Sequence, residues 1–158
     1  MLRRPYSPAR HRRLLVQLAG APRPPAGDAP REHPPAADET QVDGYSARGF
    51  TVNGVGVPGP VLLLPDLCLR FRGVPTVGAL TPDSLRAIGL LRAPVELLVV
   101  GYGGHGGRTT LPADAESWLL RRRISPELLS TPAACASFNF LVQERRAVGA
   151  ILWPAGRK

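Results

Sequence analysis

Sulfur, long apolar runs and early acid are what this 158-residue sequence has least of. Its two cysteines, Cys68 and Cys135, stand in no metal-binding or redox spacing. Two thiols exclude a disulfide scaffold, and a reducing compartment suits them best. No apolar run reaches the roughly 18 residues a bilayer-spanning helix needs, so none is expected. Acid is absent from residues 1–24, which carry Arg3, Arg4, Arg10, Arg12, Arg13 and Arg23. Aromatic residues make up 6% of the chain, and none is interleaved with its densest basic run, Arg121-Arg122-Arg123. That pattern lacks the stacking platforms or groove-shaped element of a nucleic-acid binder, so no nucleic acid is expected. The run reads as a helix terminus complementing its dipole, or as a contact for an acidic subunit or lipid headgroups.

What is present is an ordinary soluble-protein balance, 44% hydrophobic and 20% charged, with a net charge of +8. Proline and glycine are plentiful at 18 and 17, and much of the proline precedes residue 40. This unevenness divides the chain into an arm, 1–42, and one folded body, 43–158. The arm's start is Arg-rich and acid-free, the pattern of a mitochondrial import segment. Leu14, Leu15 and Leu18 would share one side of a short helix over residues 9–19. The alternative is a basic arm for anionic surfaces, RNA or lipid. Residues 21–40 are too proline-rich and too poor in apolar bulk to build a core, and read as an extended linker.

In the body, Phe50 and Val52 alternate with Thr51 and Asn53, and Asn53-Gly54 signals a type I′ hairpin turn back through Val55-Gly56-Val57. Strands follow at 61–64 and 67–72, with Leu67, Leu69 and Phe71 expected on one face and Cys68, Arg70 and Arg72 on the other. Thr81-Pro82-Asp83 reads as a helix start. The run 95–100, apolar but for Glu96, suits a central strand covered on both faces. A second helix over 112–123 places Leu111, Ala115, Trp118 and Leu119 at helical period. Pro126 demotes 124–129 to an edge strand. Thr131-Pro132 repeats the start signature for a third helix, with Ala134, Phe138, Leu141 and Val142 inward, before a last strand at 147–153. The expected fold is α/β: a β-meander start, then alternating α and β around a mixed sheet, with three helices.

The motifs Gly44-Tyr45-Ser46-Ala47-Arg48-Gly49-Phe50-Thr51-Val52-Asn53-Gly54, Pro58-Gly59-Pro60-Val61 with Leu64-Pro65, Pro94-Val95-Glu96-Leu97-Leu98-Val99-Val100-Gly101 and Thr131-Pro132-Ala133-Ala134-Cys135-Ala136-Ser137-Phe138-Asn139-Phe140-Leu141 with Glu144 and Arg146 resemble the Mth938-like domain family over about residues 43–154. With an import-type arm, the chain resembles that family's branch serving assembly of respiratory complex I (NADH:ubiquinone oxidoreductase). The resemblance implies a non-catalytic scaffold without cofactor, in the mitochondrial matrix and peripheral to the inner membrane. It further implies contact with the quinone-binding module and adjoining membrane arm, and a partner like assembly factor 4. The chain would act as an assembly factor or a retained accessory subunit.

Several residues bear on an alternative, a small-molecule or nucleotide-binding enzyme. Gly101, Gly103 and Gly106 spell G-x-G-x-x-G after the central strand. A dinucleotide loop needs a helix starting at its second glycine, and here Arg108 to Pro112 intervene. The loop 101–107 therefore reads as a turn, with Arg108 available to a partner's acid. Cys135 lies near a helix start, where the dipole would lower its pKa and His105 would be its base; the other reading is a small residue packed under the helix. Asn139, between two phenylalanines, is expected either in solvent or bonded to the loop after the central strand. Glu144 and Arg146 are two apart and cannot face each other on a helix. Each needs its own partner: Glu96 or Arg72 in the body, or another chain.

Overall fold

The computed structural model describes residues 39–90, 94–104 and 109–156. Residues 1–38 of the arm, with its basic start, and His105, Gly106 and Arg108 lie outside the described residues.

The described chain enters through β1 (Val42–Tyr45), a strand its sequence does not announce, since Asp43 and Gly44 are poor strand formers. It forms by pairing antiparallel with β2 (Gly49–Val52), across a bulge between Val42 and Gly44. β2 turns into β3 (Val55–Pro58) through Asn53 and Gly54 at φ 48° and 76°, the expected type I′ hairpin. The turn is laced to the first strand. Asn53 Oδ1 accepts the Gln41 N–H at 2.7 Å, and Asp43 Oδ2 accepts the Gly54 N–H at 2.6 Å. These strands form a three-stranded sheet of their own, ordered β1-β2-β3.

The expected mixed sheet has five strands, ordered β5 (Leu67–Arg70), β4 (Val61–Leu64), β8 (Val148–Leu152), β6 (Leu97–Gly101), β7 (Ser125–Leu129). β4 lies antiparallel to β5 and to β8, while β8, β6 and β7 run parallel. β7, with its Pro126, is an edge strand as expected.

Alternation along β4, β6 and β8 divides the core into two layers. Leu62, Leu64, Leu98, Val100 and Ile151 face one way, onto α2 (Ala113–Arg121) and onto Phe71, Val74, Val77, Leu80, Leu85 and Ile88. Val61, Leu63, Val99, Val148, Ala150 and Leu152 face the other, onto α3 (Thr131–Gln143) and onto Val42, Phe50 and Val52 of the small sheet. The expected inward face of β5 is only partly realised: Leu69 is 40% exposed, while Cys68 packs against the second layer.

The helix expected from Thr81 is reduced to α1 (Arg86–Gly89). The start signature is real but closes a turn: the Thr81 N–H donates to Ser84 Oγ at 3.0 Å, and the Ser84 N–H to Thr81 Oγ1 at 3.2 Å. The two longer helices end alike. In α2 the Arg123 N–H reaches the Leu120 carbonyl and the Ile124 N–H the Leu119 carbonyl. In α3 the Arg145 N–H reaches Val142 and the Arg146 N–H reaches Leu141. This paired bonding is the Schellman motif, whose left-handed position favours glycine. Both helices place arginine there, Arg123 at φ 60° and Arg145 at φ 56°.

Candidate functional site

Of the residues singled out by sequence, Gly101 and Gly103 lie at one edge of the five-stranded sheet and Glu96, Glu144 and Arg146 at the opposite one. At the edge where β6, β7 and β8 end, a cleft of about 1050 Å³ opens beside Tyr102, Gly103 and Gly104, which follow β6, and Trp153, which follows β8. Arg70 and Arg72 line it, and among the described residues its lining includes no Asp, Glu, His, Cys or Lys. Phe71 and Trp153 meet edge to face at 5.9 Å, and the indole N–H donates to the Val74 carbonyl at 3.0 Å.

Thr131 governs this edge in a way its sequence context does not suggest. It is expected as a helix cap, but Ser130 holds the cap position, and Thr131 is the first helical residue, fully buried. Its hydroxyl oxygen accepts the Gly103 N–H at 2.9 Å and its proton goes to the Trp153 carbonyl at 2.6 Å. A further bond, from the Thr131 N–H to the Gly103 carbonyl at 3.0 Å, closes the clasp. One side chain thus fastens the exits of two adjacent strands to α3.

Gly101 owes its identity to this packing. A Cβ there would lie 2.9 Å from Leu152 Cδ2, 3.1 Å from the Ala134 Cβ and 3.2 Å from Thr131 Oγ1. Gly103 sits at φ +102°, closed to ordinary L side chains. After the loop, α2 begins at Ala113 behind Pro112, so no helix N-terminus opens at the second glycine. Gly101 thus serves helix-on-strand packing, and Gly103 a bend that a side chain would strain.

Cys135 does not join this cleft. It is buried in the core layer beneath α3, and burial raises its pKa from 9.0 to about 11, against a smaller lowering by a backbone hydrogen bond. Desolvation sets the direction, so of the two readings of Cys135 its burial suits the small residue packed under the helix rather than the acidified thiol. Cys68 is likewise raised to about 11 by burial. His105 and Arg108, the other members of the expected crevice, lie outside the described residues. Among the described residues, no group of three His, Cys, Asp or Glu could hold a metal ion.

Asn139 is neither solvated nor bonded to the loop after β6. Its Oδ1 accepts the Val42 N–H and its Nδ2 donates to the Val42 carbonyl, each at 2.9 Å. It joins α3 to β1, a strand the sequence pattern did not reveal.

At the opposite edge, where the parallel strands begin, lie Glu96, Glu144 and Arg146, all exposed. None has an ion-pair partner within 4 Å among the described residues, so neither Glu96 nor Arg72 is the separate partner that Arg146 and Glu144 were expected to find in the body.

Two layers packed on a mixed five-stranded sheet, with a small antiparallel sheet at the side, define an α/β domain of the Mth938-like fold. The solution structure of a Bordetella pertussis Mth938-like domain superposes with a TM-score of 0.66 at 23% identity, covering 82% of this chain and 95% of that one. A family profile described as "Protein of unknown function (DUF498/DUF598)" matches residues 42–153, and the chain belongs to that family. The human protein "NADH dehydrogenase [ubiquinone] 1 alpha subcomplex assembly factor 3" is 39% identical over 119 residues, 75% of this chain and 63% of that protein. The zebrafish (Danio rerio) protein of the same name is also 39% identical, with 67% of it covered. An uncharacterized protein of Rhodobacter capsulatus is 31% identical over 126 residues, 80% of this chain and 93% of that one. The chain spans about three fifths of the length of the human and rat relatives it matches.

Proposed function

We propose that this chain is a non-catalytic assembly factor of mitochondrial respiratory complex I that works through protein–protein contacts. The observation that carries the reading is the 39% identity, over most of the folded body, to proteins named for that role. The site chemistry agrees with it. The cleft's described lining offers two arginines, aromatic rings, the hydroxyls of Thr76, Tyr102 and Thr109 and backbone, but no carboxylate, imidazole or thiol to activate a hydroxyl or attack a substrate. Cys135, the nucleophile of the enzymatic alternative, is buried in the other core layer with its proton held tightly.

On this reading the chain works in the matrix, peripheral to the inner membrane. Its partners are the quinone-binding module with the adjoining membrane arm, and a protein like assembly factor 4. It binds no nucleic acid and no cofactor, and whether it leaves or stays as an accessory subunit is decided by those contacts. The folded body, 43–158, supplies the docking surfaces, and the arm, 1–42, supplies import or a further contact.

The test is deletion of the gene, followed by native electrophoresis of mitochondrial membranes. Loss of mature complex I with build-up of partial assemblies is expected, restored by the intact chain. Normal complex I in the deletion strain, with no complex I subunit recovered on the tagged protein, would overturn the reading.

A further inference from the structure

The edge at which the parallel strands begin carries a charge pattern that the core does not require. Three connections meet there. Of the first, between α1 and β6, the described residues Leu90 and Glu96 bear on this edge; the second runs from α2 into β7 through Arg122 and Arg123; the third runs from α3 into β8 through Glu144, Arg145 and Arg146. Backbone hydrogen bonds hold them side by side: the Glu96 N–H to the Ala147 carbonyl at 2.7 Å, and the Ser125 N–H to the Glu96 carbonyl at 2.8 Å. Since β6 lies between β8 and β7, Glu96, just ahead of β6, falls between Arg146, ahead of β8, and Arg123, ahead of β7, a cation–anion–cation order, with Glu144 also exposed at the end of α3. All three are exposed, as are Arg121, Arg122 and Arg145.

Two further features mark the rim. Arg123 and Arg145 hold the left-handed positions that glycine fills most easily, so both helices keep a cation at the expense of stability. A backbone outlier of this kind, repeated on two helices at one edge, points to a use for the side chain. Beside them, Leu90 is 83% exposed. Its neighbour Gly89 sits against Trp118 and Arg122, and the Arg122 guanidinium stacks 3.7 Å over the Trp118 ring. An exposed leucine thus stands next to a cation fixed on an aromatic ring.

We propose that this rim is a docking surface for a protein partner presenting the complementary order: two carboxylates flanking a cation, beside an apolar pocket that receives Leu90. A bilayer of anionic lipid fits less well, because Glu96 in mid-rim would face phosphate, whereas a protein surface supplies a cation opposite it. The proposal rests on the assembly reading above, which makes the partner a component of a complex I assembly intermediate.

The test uses the tagged full-length chain expressed in cells deleted for the endogenous gene. Arg123→Gly/Arg145→Gly should raise the melting temperature or leave it unchanged, yet lower co-migration with complex I intermediates about tenfold, the effect of losing two interfacial charge contacts. Glu96→Arg and Leu90→Asp, both at exposed positions, should lower it as well. Co-migration of all three variants at the wild-type level would overturn the docking surface and leave the assembly reading standing. Absence of the wild-type chain from every complex I intermediate would overturn the assembly reading, and the docking proposal with it. Vesicles of phosphatidylcholine with and without cardiolipin provide the discriminating arm. Cardiolipin-dependent binding that Glu96→Arg strengthens, with co-migration unchanged, would assign the rim to a membrane and overturn the proposal.

Discussion

The Asn139 side-chain amide bonds both backbone groups of Val42, residues 97 apart in sequence: its Oδ1 accepts the N–H and its Nδ2 donates to the carbonyl, each at 2.9 Å. A helix side chain here does what a neighbouring strand would do, satisfying one residue of β1 on both counts. The three-stranded sheet is thereby held to α3 by a polar link as well as by Phe50 and Val52 in the shared core layer. Asn139→Leu removes both bonds at a partly buried site. We expect a loss of about 2 kcal/mol in urea unfolding, since each orphaned backbone group costs about 1–3 kcal/mol when buried. The Val42 amide should also exchange its hydrogen faster. Unchanged exchange at Val42 would remove the link from this account.

Thr131 is the clasp of the cleft edge. Thr131→Val keeps shape and volume but leaves the Gly103 N–H and the Trp153 carbonyl without the hydroxyl, at a fully buried site. A cost of about 2–3 kcal/mol is expected, and Thr131→Ser should recover most of it. Equal stability of the Val and Ser variants in denaturant titration would show that the hydroxyl contributes nothing.

Gly101→Ala separates a packing glycine from a phosphate-binding one. The added methyl would meet Leu152, Ala134 and Thr131 at 2.9–3.2 Å, so overpacking should cost about 1–3 kcal/mol. A melting temperature equal to that of the parent, with altered binding of any nucleotide, would reverse the assignment.

Arg123→Gly and Arg145→Gly should each stabilise the domain by about 0.5–1 kcal/mol, because the left-handed conformation strains an L side chain and not glycine. Thermal unfolding of the single and double variants measures this, and the two gains should add, because the residues end different helices. A drop in stability for either variant would refute the strain argument.

The thiols bring a pH dependence at the alkaline end. Both pKa values rise from 9.0 to about 11 on folding, so the folded state keeps its thiol protons longer than the unfolded chain. That contribution to stability is fully present below about pH 9 and is lost as pH climbs towards 11. The urea midpoint should therefore fall over that interval, and less so in Cys68→Ala/Cys135→Ala. Native Cys135 should react with a disulfide reagent at pH 8 far more slowly than the unfolded chain, and equal rates would contradict its burial.

Much of the architecture was written in local pattern. Asn53-Gly54 dictated a hairpin turn through its tolerance of positive φ, the apolar run before Gly101 dictated a strand covered on both faces, and the 3.6-residue spacing of Ala115, Trp118 and Leu119 dictated the buried stripe of α2. These follow from neighbours a few residues apart, and sequence alone determined them, as it did the α/β class and the charge of the arm. Pairing over long range was not legible there. β1 exists because Val52, Phe50 and Asn139 supply its partners. The Thr81 signature closed a turn, and α1 kept only four residues, where periodic burial of Phe71, Val74, Val77 and Leu80 covers the sheet instead. Only the tertiary structure decided that Thr131 would be a clasp, that Cys135 would be buried away from the cleft, and that Glu96, Arg123 and Arg146 would meet on one rim. Each depends on which strands lie side by side, and strand order is settled by burying two apolar faces at once, a global condition that no short window of sequence contains.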